Sequence, residues 1–266
     1  MKKVFKITLL LLAMLVSVIT VRHDVFAQNM SQQVLNVERR YNGQQGYGSS
    51  GIINCEEYLK DKYKANVSTI AAKKVDMINS TQKEFESMKG EGNCTLVAIT
   101  RVIHYYATNG YIDITNKDVD RIYETVRQIA IDKYNYTGNG INMLDLKSLI
   151  NDVLAQFGCK ATVSLKPAIW SFNKHIKPEI DNGNPIILTN AEGFGYYRKH
   201  ALVISGYKIC NVEKNRLFGE KHKQYPMLEV YDGWTNSVRY IDYRKFKREM
   251  QNLTSIVTTI SVKGGN

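Results

Sequence analysis

Hydrophobic side chains in the first half of the chain recur at steps of three and four residues, which is the spacing of an amphipathic helix. The clearest run follows Cys94, and its apolar positions are Leu96, Val97, Ile99, Val102, Ile103 and Tyr106. Since this apolar face is broad, the pattern predicts a largely buried helix that begins at Cys94 and ends near 108–110.

Two more helices are predicted downstream. The first covers 115–134, with Thr115 or Asn116 as its N-cap. The second covers 143–158 and is closed by Gly158, a residue that readily takes the left-handed conformation found at helix C-termini.

The second half of the chain has a different pattern, in which apolar and polar residues alternate or β-branched residues dominate. A short helix is predicted over 171–183. Strands are predicted over 159–165, 184–190, 200–209, 227–234, 237–246 and 255–262. Helices followed by strands indicate an α+β domain with an antiparallel sheet.

The N-terminus has the pattern of a secretory signal peptide over residues 1–27. A start rich in lysine precedes an apolar run over 7–21, and Val25 and Ala27 stand at the −3 and −1 positions of a cleavage site before Gln28. The alternative is an uncleaved anchor, although the apolar run is short for a membrane span. We therefore expect a secreted or cell-wall-associated protein with no membrane contact after cleavage.

The segment after the cleavage site predicts little core. Residues 28–51 are rich in Gln, Asn, Gly, Ser and Tyr, and a helix capped near Asn54 follows them. We expect 28–80 to be a linker or a pro-segment that blocks the cleft, and 81–266 to be the folded domain.

The charge of the chain suggests anionic partners. The formal net charge is +11, and removal of the signal peptide takes away four basic residues and one acidic residue, which leaves +8. Such a surface favours loose association with cell-wall polymers. The basic residues are dispersed along the sequence, so we expect no nucleic-acid binding.

The cysteine pattern excludes two common classes of protein, the small disulfide-rich scaffold and the zinc protein with a standard ligand motif. Four cysteines are too few for the disulfide scaffold of a small secreted protein, so most of them are expected to be free and buried. The sequence contains neither a Cys-x-x-Cys nor a His-Glu-x-x-His pattern. These absences leave the sequence without a zinc signature.

Cys94 has three possible roles: a small core residue, half of a disulfide, or a nucleophile. It follows Gly92 and Asn93 and opens a helix. Free N–H groups and the macrodipole at a helix N-terminus stabilise a thiolate and lower its pKa. The same N–H groups can stabilise the oxyanion of an attacked carbonyl.

A nucleophilic cysteine needs a histidine, and His200 is the best placed. It stands between a Gly- and Tyr-rich loop and an apolar strand, whereas His104 lies too far along the helix of Cys94. A third group must orient the imidazole. Asp232 follows the next strand and can reach His200 if the two strands are antiparallel neighbours; Asn236 is the alternative. Asp232 also starts an Asp-Gly pair, which is common in turns.

These segments resemble papain-like cysteine peptidases. HALVISGY at 200–207 resembles the histidine strand of that superfamily, and NGNPIIL at 182–188 resembles the strand before it. CTLVAITRVIHYY at 94–106 resembles the nucleophile helix of the streptopain-like and bacteriocin-leader-peptidase-like branches, and YDGW at 231–234 resembles the segment that completes the triad. The resemblance implies a nucleophile helix packed on an antiparallel sheet.

The sequence departs from this pattern at one position. Relatives usually carry a glutamine about six residues before the cysteine, where it donates to the oxyanion, but this chain has Met88 there. Asn93 or Gln82 could supply a second donor beside the N–H of Cys94. The loss of one donor typically lowers the rate by ~10²–10³.

The resemblance implies a secreted cysteine peptidase acting on peptides or proteins. In it, Cys94 attacks the scissile carbonyl, His200 moves the proton and Asp232 orients the ring. Such a mechanism needs no metal and no organic cofactor. Two alternatives remain open. The same dyad could serve a wall-peptide amidase or an acyltransferase, because these enzymes share the acyl-enzyme. The domain could also be a catalytically inactive surface-binding module.

Overall fold

The computed structural model describes residues 51–78, 92–114, 118–168, 172–190, 197, 199–216, 219–235, 237–249 and 255–262. Its α-helices, named α1 to α6 in chain order, are Cys55–Tyr63, Cys94–Thr108, Val119–Tyr134, Leu146–Gln156, Lys177–Asp181 and Tyr243–Glu249. Its strands, named β1 to β7, are Asn66–Lys74, Ala161–Pro167, Ile186–Asn190, His200–Arg216, Gly219–Tyr231, Arg239–Asp242 and Ser255–Val262. A π-helical turn, Phe172–Ile176, leads into α5.

The strands form one seven-stranded antiparallel sheet in the order β2-β7-β3-β4-β5-β6, with β1 paired to β4. The long strand β4 organises this sheet. Its first residues pair with β3, and its later residues, 206–213, pair with β1 on one side and with β5 on the other. The fold is therefore α+β with an antiparallel sheet, as the sequence predicted.

Helix α2 is the central helix, and it begins at Cys94 as predicted. It packs on α3 on one side and on β3 and β4 on the other. Twelve of its residues are buried, so nearly all of its surface is covered by protein. Because α3 and the two strands all pack on it, the position of α2 relative to the sheet is fixed.

Helices α3 and α4 are confirmed with shorter limits than the apolar periodicity predicted. Helix α3 is capped by Asp118, whose carboxylate accepts the N–H of Asp120 at 2.8 Å and of Arg121 at 3.4 Å. The predicted caps, Thr115 and Asn116, lie outside the described residues. Gly158 follows α4 with a φ of +68°, in agreement with the predicted C-terminal stop.

Residues of the segment expected to be a linker or pro-segment take part in the sheet. Helix α1 is capped by Asn54 as predicted, and β1 pairs with β4 from Asn66 to Lys74. The sequence analysis missed this strand because Val67 is its one fully buried side chain, so the apolar alternation is weak. Helix α1 and strand β1 thus belong to the same folded unit as the sheet.

The prediction of one strand over 237–246 was wrong in its second half. Strand β6 ends at Asp242, whose carboxylate accepts the N–H of Arg244 at 3.0 Å and of Lys245 at 3.1 Å. An aspartate in this position starts a helix, and α6 follows at once.

Among the residues that the structure describes, no helix has the length and apolarity needed to cross a bilayer.

Candidate active site

A cavity of about 310 Å³ lies where the start of α2 meets the start of β4. It contains both Cys94 and His200, which are far apart in the sequence. The residues that line it are Cys94, Thr95, Asn139, Gly140, Ile141, Met143, Thr189, Asn190, Lys199, His200 and Ala201. The tertiary structure therefore brings together the candidate nucleophile and the candidate histidine that the sequence selected.

The backbone before Cys94 is shaped by Gly92. Gly92 has a φ of +79°, and a Cβ on it would lie 2.6 Å from the carbonyl oxygen of Gly138 and 2.9 Å from the nitrogen of Gly140. A side chain is thus excluded both by the backbone angle and by the neighbouring loop. Because this loop also lines the cavity, the contact at Gly92 sets the position of Cys94 relative to one cavity wall.

The Cys94 thiol has a raised pKa, and burial is the largest cause. The main-chain N–H groups of Ala201, Thr95 and Cys94 itself, together with the Thr95 hydroxyl, act in the opposite direction. The sequence analysis expected the helix N-terminus to lower this pKa. The N–H groups at the helix start do act in that direction, but loss of water around the sulfur outweighs them, so the net change is a rise.

The His200 ring stacks on one aromatic side chain and lies near a second. Its centroid lies 3.9 Å from that of the Trp234 ring, and the two planes are nearly parallel at 25°. The Tyr197 ring lies beside both of them, with its centroid 5.5 Å from that of Trp234 and 6.0 Å from that of His200. The imidazole is 4% exposed, so these contacts fix its plane.

The tautomer of His200 follows from one hydrogen bond. Its Nε2 lies 2.6 Å from the main-chain carbonyl oxygen of Asp232. Since a carbonyl can only accept, Nε2 carries the proton, and in the neutral ring Nδ1 then has a lone pair. Burial lowers the pKa of His200 to about 4, so the ring is neutral near pH 7. His200 is therefore a base with Nδ1 as its acceptor atom.

The carboxylate of Asp232 does not make the contact that was expected of it. Its Oδ1 accepts the N–H of Trp234 at 2.9 Å and of Thr235 at 3.0 Å, and the Tyr197 hydroxyl donates to Oδ2 at 3.5 Å. Burial raises the pKa of this carboxyl group, and the two main-chain N–H groups partly offset the rise. Asp232 thus orients His200 through its main chain and shapes the following turn through its side chain.

The candidate oxyanion donors are only partly described. The side-chain amide of Asn93 is buried and donates to the Tyr123 hydroxyl at 3.1 Å, which directs it towards α3. Gln82 lies outside the described residues, and so does Asn236, the alternative third member. Main-chain N–H groups around the sulfur are thus the donors that the structure places at the site.

Two polar residues of the cavity were missed by the sequence analysis. Asn190 is directly opposite His200 in the pairing of β3 with β4, and Thr189 precedes it. Both amide atoms of Asn190 and the hydroxyl oxygen of Thr189 are buried and lack a hydrogen-bond partner in the described part of the chain. The sequence did contain a signal for these two residues: the apolar run PIIL is followed by the polar pair TN at the end of the strand.

The other histidines and cysteines that the structure describes lie elsewhere. His104, His175 and His222 do not line the cavity, and neither does Cys159. Within the described ranges, no group of three or more His, Cys, Asp or Glu side chains is arranged to hold a metal ion.

Comparison with known proteins identifies the class to which this fold and cavity belong. Residues 72–253 match the model of the Peptidase_C39 like family, and this match spans more than half of the chain. The chain belongs to that family, and membership supports a peptidase of the cysteine type within the papain-like superfamily. No curated protein matches the chain significantly.

Proposed function

We propose that the protein is a secreted cysteine peptidase that hydrolyses peptide bonds, with Cys94 as nucleophile and His200 as general base and acid. The observation that carries the proposal is the shared cavity of Cys94 and His200, in which Nε2 of the ring is bound by Asp232. Nδ1 is the nitrogen left for proton transfer.

Acylation starts from a neutral pair. Because the pKa of Cys94 is raised and that of His200 is about 4, thiol and imidazole are both uncharged near neutral pH. Nδ1 takes the thiol proton as the sulfur bonds to the scissile carbonyl carbon. His200 then passes this proton to the departing amine as the C–N bond breaks, which leaves the acyl group on Cys94.

The second half of the cycle uses the same groups. A water molecule gives a proton to Nδ1 as its oxygen attacks the acyl carbon, and the S–C bond breaks. The proton returns to the sulfur. In both steps the negative charge on the carbonyl oxygen can be stabilised by main-chain N–H groups at the start of α2. The imidazolium formed in each step is supported by the carbonyl of Asp232.

The signal-peptide pattern over 1–27 supports secretion, and the motif at Cys94 supports a place in the streptopain-like or leader-peptidase-like branch. Loose wall association is supported by a group of cations that lie over two tyrosine rings. The rings of Tyr63 and Tyr225 lie 4.7 Å apart, Lys214 lies over Tyr63, and Lys223 and Arg244 lie over Tyr225. Clustered cations attract anionic polymers.

The test compares the wild type with Cys94→Ala, and with Cys159→Ala as a matched control on a cysteine outside the cavity. Each is incubated under reducing conditions at about pH 6–8 with denatured casein and a peptide library, and products are read by mass spectrometry. We expect cleavage by the wild type and the control only. Release of wall peptides without casein cleavage would instead indicate an amidase, and cleavage by Cys94→Ala would refute the role of Cys94.

A further inference from the structure

Helix α1 is fastened to the sheet by a hydrophobic cluster that is separate from the main core. Two of the four cysteines belong to this cluster: Cys55, the first residue of α1, and Cys210, in β4. Their side chains are 2% and 0% exposed. The other two cysteines, Cys94 and Cys159, pack against the larger core cluster instead.

The two thiols are held close to each other by well-defined contacts. Cys55 and Cys210 lie within hydrogen-bonding range of one another. Cys210 is directly opposite Thr69 of β1, and its sulfur lies 3.8 Å from the Thr69 hydroxyl. The Glu56 carboxylate accepts both the N–H of Thr69, at 3.1 Å, and its hydroxyl, at 2.7 Å. Helix α1 therefore presents Cys55 to β4 in a fixed position.

We propose that Cys55 and Cys210 form a disulfide bond when the protein folds in an oxidising compartment. The inference rests on the proposed secretion, because thiols in the cytosol are kept reduced. It does not rest on catalysis by Cys94.

The bond forms by exchange with a small disulfide oxidant such as oxidised glutathione. One thiolate attacks a sulfur of the oxidant, a mixed disulfide forms and one oxidant thiol leaves. The second thiolate then attacks the protein sulfur of the mixed disulfide, and the second oxidant thiol leaves. The two cysteines lose two protons and two electrons, and the oxidant is reduced to two thiols. Since both sulfurs are buried in the final fold, this exchange takes place before α1 has packed.

The bond would join the two ends of a long stretch of chain, which includes α2 and its cavity. It would also fasten α1 to β4 whether or not the chain is cut elsewhere. Cys94 would remain a thiol, because its partner in the cavity is His200 and not another cysteine.

The experiment maps disulfides in the full chain produced through a secretory pathway. The protein is denatured without reductant, treated with iodoacetamide, digested and analysed by mass spectrometry. We expect one cross-linked peptide pair joining Cys55 to Cys210 and alkylation of Cys94 and Cys159. Alkylation of all four cysteines, or a bridge between any other pair, would overturn the proposal. Neither result depends on peptidase activity, so failure here is distinct from failure of the proposed function.

A thermal measurement provides the second test. The double variant Cys55→Ala/Cys210→Ala is compared with wild type, each produced once by secretion and once in a reducing cytosol. The secreted wild type is expected to melt about 5–15 °C above the cytosolic wild type, because the cross-link restricts the unfolded chain. For the double variant the two preparations should melt together. Equal melting temperatures of the two wild-type preparations would count against the bond.

Discussion

His200 is oriented by the main-chain carbonyl of Asp232, 2.6 Å from Nε2, while the carboxylate of the same residue binds the N–H groups of Trp234 and Thr235. One residue therefore fills two roles that the sequence analysis treated as alternatives, orienter and turn residue. The carbonyl orients the ring and the carboxylate holds the turn. A substitution of the side chain therefore measures the contribution of the carboxylate alone.

The substitution Asp232→Asn should leave most activity intact. The asparagine oxygen can accept the same two N–H bonds, and the carbonyl that holds His200 is unchanged. We expect kcat/KM to stay within about fivefold of wild type, whereas loss of a carboxylate that contacts the catalytic imidazole costs ~10⁴ in kcat. Asp232→Ala, which cannot hold the turn, should lower both kcat/KM and the melting temperature. A drop of several orders of magnitude for Asp232→Asn would show that the carboxylate itself faces the ring during catalysis.

The pH dependence of thiol alkylation should report a neutral pair. The thiolate of Cys94 is disfavoured by burial, and His200 stays unprotonated above a pH of about 4. Iodoacetamide should thus react with Cys94 slowly near neutral pH, and the rate should rise about tenfold per pH unit towards the raised pKa. The pH dependence of hydrolysis should instead report the titration of His200. We expect kcat/KM to rise as the pH increases through about 4, because protonated His200 cannot act as a base.

His200→Ala is the control for this experiment. If the resting pair is neutral, this variant should keep the slow alkylation of the wild type near neutral pH. Fast, pH-independent alkylation of the wild type that is lost in His200→Ala would mean a preformed thiolate–imidazolium pair.

Gly92→Ala should disturb the site much more than Gly110→Ala. Both glycines have a positive φ, +79° and +74°, so both substitutions strain the backbone. A Cβ at Gly110 meets nothing within 4 Å, whereas one at Gly92 lies 2.6 Å from the carbonyl of Gly138. We expect Gly92→Ala to lower kcat/KM by at least about tenfold, because small displacements of a nucleophile have large effects on rate. Equal activities of the two variants would show that this contact does not position Cys94.

Truncation should separate the dispensable N-terminus from the folded domain. A chain that begins at Gly51 keeps α1 and β1, and we expect it to melt like the full secreted protein. A chain that begins at Thr81 lacks both elements, so it exposes the edge of β4 and the apolar residues that covered it. Lower melting temperature and aggregation on size-exclusion chromatography should follow. If the shorter chain were as stable as the longer one, β1 would not be needed by the sheet.

Asn190→Leu should stabilise the protein. Both amide atoms of Asn190 are buried without a described partner, which is costly, and leucine has the same number and branching of side-chain heavy atoms. Removal of such a group should add about 1 kcal/mol to the free energy of unfolding, or roughly 2–4 °C in melting temperature. Thr189→Val removes a second buried oxygen of the same kind and should act in the same direction. Loss of stability in both variants would show that these polar atoms are satisfied in solution.

Much of the secondary structure could be predicted because it depends on local patterns. The apolar positions after Cys94 repeat with the period of a helix, and the pattern placed the start of α2 correctly. Strand β1 was missed because most of its side chains are exposed, and its place depends on backbone pairing with β4. Backbone hydrogen bonds between strands that are far apart in the chain do not require a particular pattern of polar and apolar side chains.

The sequence by itself determined which residues could carry the chemistry: a cysteine opening a helix, a histidine opening an apolar strand and an aspartate after the next strand. Only the tertiary structure decided how their atoms are used. It directed the carboxylate of Asp232 to the N–H groups of the turn and its carbonyl towards His200, and it removed water from the half-buried Cys94 thiol, which raises the pKa of that thiol. These outcomes depend on water exclusion and on contacts between segments far apart in the chain, and no local pattern records them.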